Sequence, residues 1–320
     1  MGQQDRMSSS IPGKRQLPAS RFDLSTYVGR VKHSAEISDP RALLLSSEGL
    51  SRAIDVIKEY KAGKRQLTPE VWKAKKAVDA TIHPDTGEKV FLPWRMSCFV
   101  LTNLVVTAGM LTPGLTTLGT VGWQITNQSV NVAINYSNAN KTLPLSTQQV
   151  ALSYLLAVSA SCGVAIGANR IVPRMPLGAG AKETLGRLVP FLAVATAGLL
   201  NVFLMRGNEI QRGIEITGQD GEKLGLSKKA AWLAVGETGA SRVLNATPVM
   251  VVPALALVAL QRRGLPRRWV LATNLGLILS TSLVALPFAL GVFPQRQTVD
   301  GNRLEEAFHG KGPVQFNRGM

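Results

Sequence analysis

Between Met96 and Asn169 the chain carries one charged side chain, Lys141, although Lys, Arg, Asp and Glu account for 56 of its 320 residues. A charge at the centre of a bilayer helix costs about 2.5–3.5 kcal/mol on an insertion scale. A 74-residue stretch that nearly excludes charge therefore reads as one shaped by hydrocarbon. Three more charge-free windows follow, Leu188–Met205, Val243–Gln261 and Trp269–Gln295. Each approaches or exceeds the ~20 residues that cross a bilayer as a helix. The expected fold class is all-α: a multi-spanning helical membrane protein.

A mean hydropathy of only +0.12 blends two regions. Residues 1–95 hold 17 basic and 11 acidic residues, and the long apolar runs begin at 96. The expected organisation is a soluble helical region over 1–95, a membrane domain over 96–294 and a C-terminal tail over 295–320. No secretory signal is expected, because the first apolar window begins near residue 96. Arg6 occupies the Ser/Thr position of the myristoylation pattern. Residues 6–22 are basic, serine-bearing and free of acid, as in a mitochondrial presequence, but Pro12 and Pro18 interrupt an amphipathic helix there. Cys98 and Cys162 sit in apolar windows without metal-ligand spacing and read as packing residues.

Two helices are legible ahead of the membrane. One runs from about Glu48 to Ala62, with Leu50, Ile54 and Ile57 at helical spacing and Gly63 as its stop. The other opens with Thr68 and Pro69 and turns Val71, Ala74, Val78 and Ile82 to one face. His83-Pro84-Asp85-Thr86-Gly87-Glu88 then reads as a turn, and Gly218-Gln219-Asp220-Gly221 as a turn between helices. Five spans are expected, roughly 96–112, 148–169, 187–205, 243–261 and 269–293, with Pro190, Pro248, Pro253 and Pro287 within or at the edges of three of them. Proline in a membrane helix frees a backbone carbonyl, so such helices often line cavities.

Residues 121–139 are long enough to be a sixth span, and charge placement argues otherwise. Five spans put the N-terminal region (+6), residues 170–187 (+3) and the arginines at 262, 263, 267 and 268 on one side, +13 against +3. Six spans bring the two sides to +9 and +7. The positive-inside rule favours the first arrangement, with a polar helix over 121–139 that does not cross.

Within that helix lies the candidate binding constellation. At ~100° per residue, Gln124, Asn127, Asn131, Asn135 and Asn138 fall within an arc of about 80°. Gln128 and Tyr136 point away from its centre. Amides pair donors with acceptors at no net charge, which suits a zwitterionic or hydroxylated solute in a medium that penalises fixed charge. The alternative is a re-entrant or interfacial helix whose amides face water or other helices. Nothing in the sequence points to an enzyme, a cofactor or a metal: there is no Gly-rich phosphate loop, nucleophile elbow or paired catalytic carboxylate, and His33, His83 and His309 are scattered. The sequence pI of about 10.3 invites nucleic acid as a partner, but the basic residues flank membrane windows. Anionic lipid headgroups account better for that placement.

His83-Pro84-Asp85-Thr86-Gly87-Glu88-Lys89 followed by Arg95-Met96, and Asn127 through Asn138 (NQSVNVAINYSN), closely resemble the two signatures of the sideroflexins, a mitochondrial inner-membrane, tricarboxylate-carrier-like family. Similarity extends through Ser25–Arg30, Asp39-Pro40, Leu204-Met205-Arg206, Ser241-Arg242 and Phe316-Asn317-Arg318-Gly319. Ala139 stands where relatives usually carry arginine, and Val130 where they carry an aromatic residue. The resemblance implies a multi-pass inner-membrane transporter of small neutral amino acids, serine first and then alanine and cysteine, supplying one-carbon metabolism. It also implies candidate structural or gating roles for His83, Asp85, Thr86 and Arg95. The competing readings are a non-transporting scaffold for another inner-membrane complex, and an iron- or citrate-related carrier. Citrate is disfavoured because the expected spans hold no fixed cation near their centres.

Overall fold

The N-terminal helices form where apolar spacing and Pro69 put them, although the Thr68 hydroxyl, expected to cap the second, caps no N–H. In the computed structural model, which describes residues 11–318 apart from 12, 19, 84, 85, 138–146, 219, 221 and 295, α2 (Ser47–Lys61) starts with the Ser46 hydroxyl accepting from the Gly49 N–H at 3.1 Å. It ends near Gly63, whose φ of +80° no side-chain-bearing residue adopts cheaply. α3 (Pro69–Asp79) follows. Leu50, Ala53, Ile57 and Tyr60 of α2 pack on Val71, Ala74, Val78 and Ile82 to make a helical hairpin core. Each large apolar side chain fully buried there is worth about 1.5–3 kcal/mol.

A preceding helix, α1 (Tyr27–Ile37), is absent from the sequence reading. Its polar sequence lacks a continuous apolar stripe, and it is held by Thr26, whose hydroxyl caps the Gly29 N–H at 3.0 Å. Its place is set at long range. The Tyr27 hydroxyl donates to the Phe288 carbonyl at 3.1 Å and Arg30 Nε to the Gly291 carbonyl at 2.8 Å.

Five apolar helices and one polar helix make the bundle among the described residues: α4 (Phe99–Met110), polar α5 (Thr117–Ser137), α6 (Thr147–Ile171), α7 (Ala179–Met205), α9 (Lys228–Arg262) and α10 (Val270–Leu290). Four helical segments, Val150–Arg174, Ala179–Met205, Lys228–Arg262 and Arg267–Leu290, are long and apolar enough to cross a membrane. The twelve residues of α4 rise only ~18 Å at 1.5 Å each, and short 3₁₀ turns at Leu92–Trp94 and Met96–Cys98 lead into it. α9 begins well before the charge-free window at Val243. Its first turns carry Lys228, Lys229, Glu237 and Arg242 yet bury Ala230, Ala231, Ala234 and Val235. Pro190 lies inside α7, Pro248 and Pro253 inside α9, and Pro287 inside α10.

Each bundle helix packs on its successor, and α10 closes on α4, so α4–α5–α6–α7–α9–α10 form a ring. Val106 and Met110 of α4, Trp123 and Val130 of α5, Phe191 and Val194 of α7, and Ala246 and Met250 of α9 share one cluster. The polar helix is thus part of the wall, antiparallel to its neighbours. Its start meets the end of α4, where a Cβ on Gly109 would lie 2.2 Å from the Trp123 ring. Its later half meets the start of α6, where the hydroxyls of Ser129 and Tyr154 are 2.9 Å apart.

This corrects the sidedness drawn from charge. Residues 170–187 and the 262–268 arginines do share one end of the bundle, where Arg262 Nη2 donates to the Gly180 carbonyl at 2.8 Å and Arg187 Nη2 to Gln261 Oε1 at 2.7 Å. The N-terminal region lies at the other end, against the last turn of α10. A charge count cannot see that α5 runs the length of the ring and reverses the chain once more.

The far end also carries a small sheet that the sequence reading lacks. After the short α8 (Gly207–Arg212), β1 (Ile214–Thr217) and β2 (Lys223–Ser227) form a hairpin, so the Gly218 turn joins two strands; residues 219 and 221 lie outside the described residues. β3 (Arg296–Asp300) and β4 (Pro313–Asn317) complete an antiparallel sheet ordered β2-β1-β4-β3, with Ile216 opposite Phe316. Ile216, Leu304, Phe308, Val314 and Phe316 close over Ala230 and Ala234 of α9. Residues after 295 are therefore half of a folded unit whose other half lies some eighty residues earlier.

Candidate functional site

The first motif segment is a tight hairpin turn. Ile82 and Lys89 form an antiparallel bridge. The His83 N–H donates to the Glu88 carbonyl at 2.8 Å, the Gly87 N–H to the His83 carbonyl at 3.0 Å, and the Val90 N–H to the Thr81 carbonyl at 3.0 Å. The Thr86 hydroxyl accepts from the Glu88 N–H at 3.3 Å, and His83 is buried. Pro84 and Asp85 lie outside the described residues. Arg95 Nε donates back to the Val90 carbonyl at 2.8 Å, fixing the 3₁₀ turn Leu92–Trp94, which packs on α5. The segment that follows the first motif thus packs on the helix that carries the second.

α5 carries the amides from one end of the ring toward the other. Gln124 and Asn127 are buried, to 1% and 4% exposure, and Asn131 is half-buried one turn further on. Asn135 follows on the same helix, and Asn138 and Ala139 lie outside the described residues. Gln128, off the centre of the stripe by helical geometry, is buried as well, whereas Tyr136 is exposed. Gln124 Oε1 and Asn127 Nδ2 are buried without a hydrogen-bond partner. An unsatisfied buried polar atom costs about 1–3 kcal/mol; the bundle amides Asn245 and Asn274 carry such atoms too, but these two stand one turn apart on one helix.

A cavity of about 570 Å³ supplies the setting. It is enclosed by the end of α4 and the α4–α5 connection, the first turns of α5 through Gln124, the last turns of α6 and the first turns of α7. Its mouth is exposed at Pro113, Gly114, Asn169 and Arg170, and its inner wall is buried at Gln124, Ala165 and Val189. Seven residues separate Thr117 from Gln124, so that amide lies ~10 Å along the helix from its start. The size is that of small-molecule sites, about 300–1,000 Å³.

The charged lining of the cavity escaped the sequence reading, whereas Pro190 was named there. Arg170, Lys182 and Arg187 bring three cations to it against one acid, Glu183. Arg187 stands at the edge of its expected span, where a cation ordinarily anchors to headgroups; the ring instead turns it to the cavity. Its Nη1 is buried and unpaired, while Nη2 is bound to Gln261 and lies 3.8 Å from Glu183. Pro190 also lines the wall, with Gly186 one turn before it. The spacing Arg-x-x-Pro at the start of an apolar window was the available signal, and only the neighbouring helices give it meaning. These cations stand at the end of the ring and not near the span centres, so they add positive charge at the cavity mouth that the case against citrate did not weigh.

A family model described as sideroflexins matches residues 16–320. Among curated proteins, the chain is 57% identical to the sideroflexin fsf1 of Schizosaccharomyces pombe, over 95% of this chain and 98% of that one. It is 55% identical to sideroflexin FSF1 of Saccharomyces cerevisiae, over 98% of this chain and all of that one. To human sideroflexin-1 it is 34% identical, again over 98% of this chain and the full relative. No solved structure matches it. A match that begins at residue 16 and runs to the last residue takes in the His83 turn, the amide helix and every wall of the cavity, and the chain belongs to the sideroflexin family.

Proposed function

We propose that this protein is a carrier, not an enzyme, that moves small neutral amino acids across the mitochondrial inner membrane, serine first, with alanine and cysteine as further substrates, and so feeds one-carbon metabolism. The observation that carries this reading is the cavity whose inner wall ends on the buried, unpaired Gln124 amide. A buried amide in the wall of a solute-sized cavity offers a hydrogen-bonding group to a polar solute. The amides of Asn127 and Asn131 continue the polar file beyond it, and Asn135 follows on the same helix. A solute entering from the mouth exchanges hydration for Gln124 and Asn127. It then passes along the file as the proline-containing helices α7, α9 and α10 repack around α5, and the His83–Arg95 turn, seated on α5, acts as the support or gate of the far end.

Anionic inner-membrane lipids are the second partner. Arg174, Arg262, Arg263, Arg267 and Arg268 are exposed at the cavity end beside exposed Trp269. Cations with an interfacial aromatic are the pattern that binds headgroups.

The test is uptake of labelled serine into liposomes holding the purified protein. Saturable uptake is expected from the wild type and its loss from Asn131→Ala at equal incorporation. Folded, inserted protein without flux would favour the scaffold reading. The three cavity cations favour keeping a tricarboxylate as the second candidate; flux of citrate with none of serine would establish it instead.

A further inference from the structure

Resting on that transport reading, we propose that the cavity wall contains a receptor for the amino-acid zwitterion. Arg187 Nη1 takes the solute's carboxylate, and the Gly186 carbonyl with Gln124 Oε1 takes its ammonium group. All three residues line the same cavity.

The carboxylate half follows from the guanidinium. Its Nη2 is engaged by the neutral Gln261 amide at 2.7 Å and, more loosely, by the Glu183 carboxylate. Glu183, 3.8 Å away, is itself exposed. Nη1 is buried and has no partner. A guanidinium cannot shed its proton to relieve burial, and it binds carboxylates through a planar array of N–H donors. An anion that brings its own acceptors satisfies Nη1 without disturbing the Gln261 contact.

The ammonium half follows from Pro190. In an α-helix the carbonyl of residue 186 would accept from the N–H of residue 190, and proline has none. The Gly186 carbonyl is thereby left to another donor, and glycine adds no side chain to screen it. Gln124 Oε1 is the second acceptor without a donor. One buried donor of positive charge and two neutral acceptors match the two ends of a zwitterion. They do not match an amine alone, a carboxylate alone or a polyol. Because these are backbone and main-frame groups common to every α-amino acid, the receptor fixes the class of solute and leaves side-chain choice to the amides deeper on α5.

The experiment measures labelled serine uptake in liposomes with three unlabelled competitors: serine, serinamide (no carboxylate) and glycerate (no ammonium). In the wild type only serine competes well. Arg187→Gln is expected to raise KM for serine about tenfold or more with kcat within a few fold, and to narrow the preference for serine over serinamide; sites built to hydrogen-bond one group discriminate by such factors. Arg187→Lys should restore part of that preference, and it decides the matter if the glutamine variant is not recovered folded. Pro190→Ala, which gives the Gly186 carbonyl an intrahelical donor, should narrow the preference for serine over glycerate while leaving serinamide discrimination in place. Serine flux with wild-type selectivity in the Arg187 and Pro190 variants would overturn the receptor and leave the carrier standing. Absence of serine flux in the wild type overturns both.

Discussion

At Gln124 the sequence places a side chain that is worse for stability than an apolar residue of the same volume. Its carbonyl oxygen is buried and unpaired, and replacing such a group by an apolar isostere is neutral or stabilising when nothing else is lost. Gln124→Met should therefore leave the detergent-solubilised protein at least as heat-stable as the wild type while abolishing serine uptake. A thermal shift assay run beside the flux assay separates the two. A large drop in melting temperature would mean that the amide holds the bundle together, and the binding role would fall. The helical arc of amides was readable from spacing alone. Which of them is buried, and which atoms lack partners, depends on helices that are distant in sequence.

Among the elements, α9 shows how far apart the partners of one helix can lie. Its first N–H groups are capped from the C-terminal segment: Glu305 Oε1 accepts from the N–H groups of Lys228 and Lys229 at 2.8 and 2.9 Å, and Oε2 accepts from the Ser227 hydroxyl. Ser227 in turn accepts from the Ala230 N–H at 3.0 Å. Burial pushes the Glu305 carboxyl up, but the hydrogen bonds from Ser227 and the two N–H groups outweigh it and hold the group below its ordinary value. A carboxylate at a helix N-terminus is also favoured by the helix dipole. Because the folded value is the lower one, the stabilisation is complete above the ordinary glutamate pKa of about 4.3 and is lost as pH falls through the lowered value. Glu305→Gln should cost about 1 kcal/mol at neutral pH, with the gap to wild type closing in acid. Thermal unfolding followed by circular dichroism across pH 3–7 checks this, and a gap independent of pH would take the carboxylate out of the cap.

The whole molecule is decided by the direction of α5. If it crosses, the α4–α5 connection and the 262–268 arginines share one face of the membrane, and the N-terminal hairpin and the C-terminal sheet share the other. Cysteines introduced singly at Thr116, Arg263, Ser47 and Asn302, in protein with Cys98 and Cys162 replaced by alanine, report this through an impermeant maleimide applied to sealed vesicles. All four positions are exposed. The first two should label together and the last two from the opposite side. Joint labelling of Ser47 and Arg263 would return the polar helix to one surface and restore the five-span arrangement.

What the sequence determined by itself is what depends on local composition and spacing. Expulsion of charge marked the apolar helices. The 3.6-residue period, with Pro69 opening the second helix and Gly63 stopping the first, set the α2–α3 hairpin, from Leu50 and Ile57 to Val71 and Val78. The amide arc on α5 and the prolines inside α7, α9 and α10 were legible in the same way. The tertiary structure alone decided three things: that α5 closes the ring as a wall, that β4 pairs with β1 and so joins the two hairpins in one sheet, and that Arg187 turns from the membrane edge to the cavity. The reason is physical. Charge placement, strand pairing and the solvation of a single guanidinium are settled by which distant segments share an end of the bundle, and no local window of sequence contains that information.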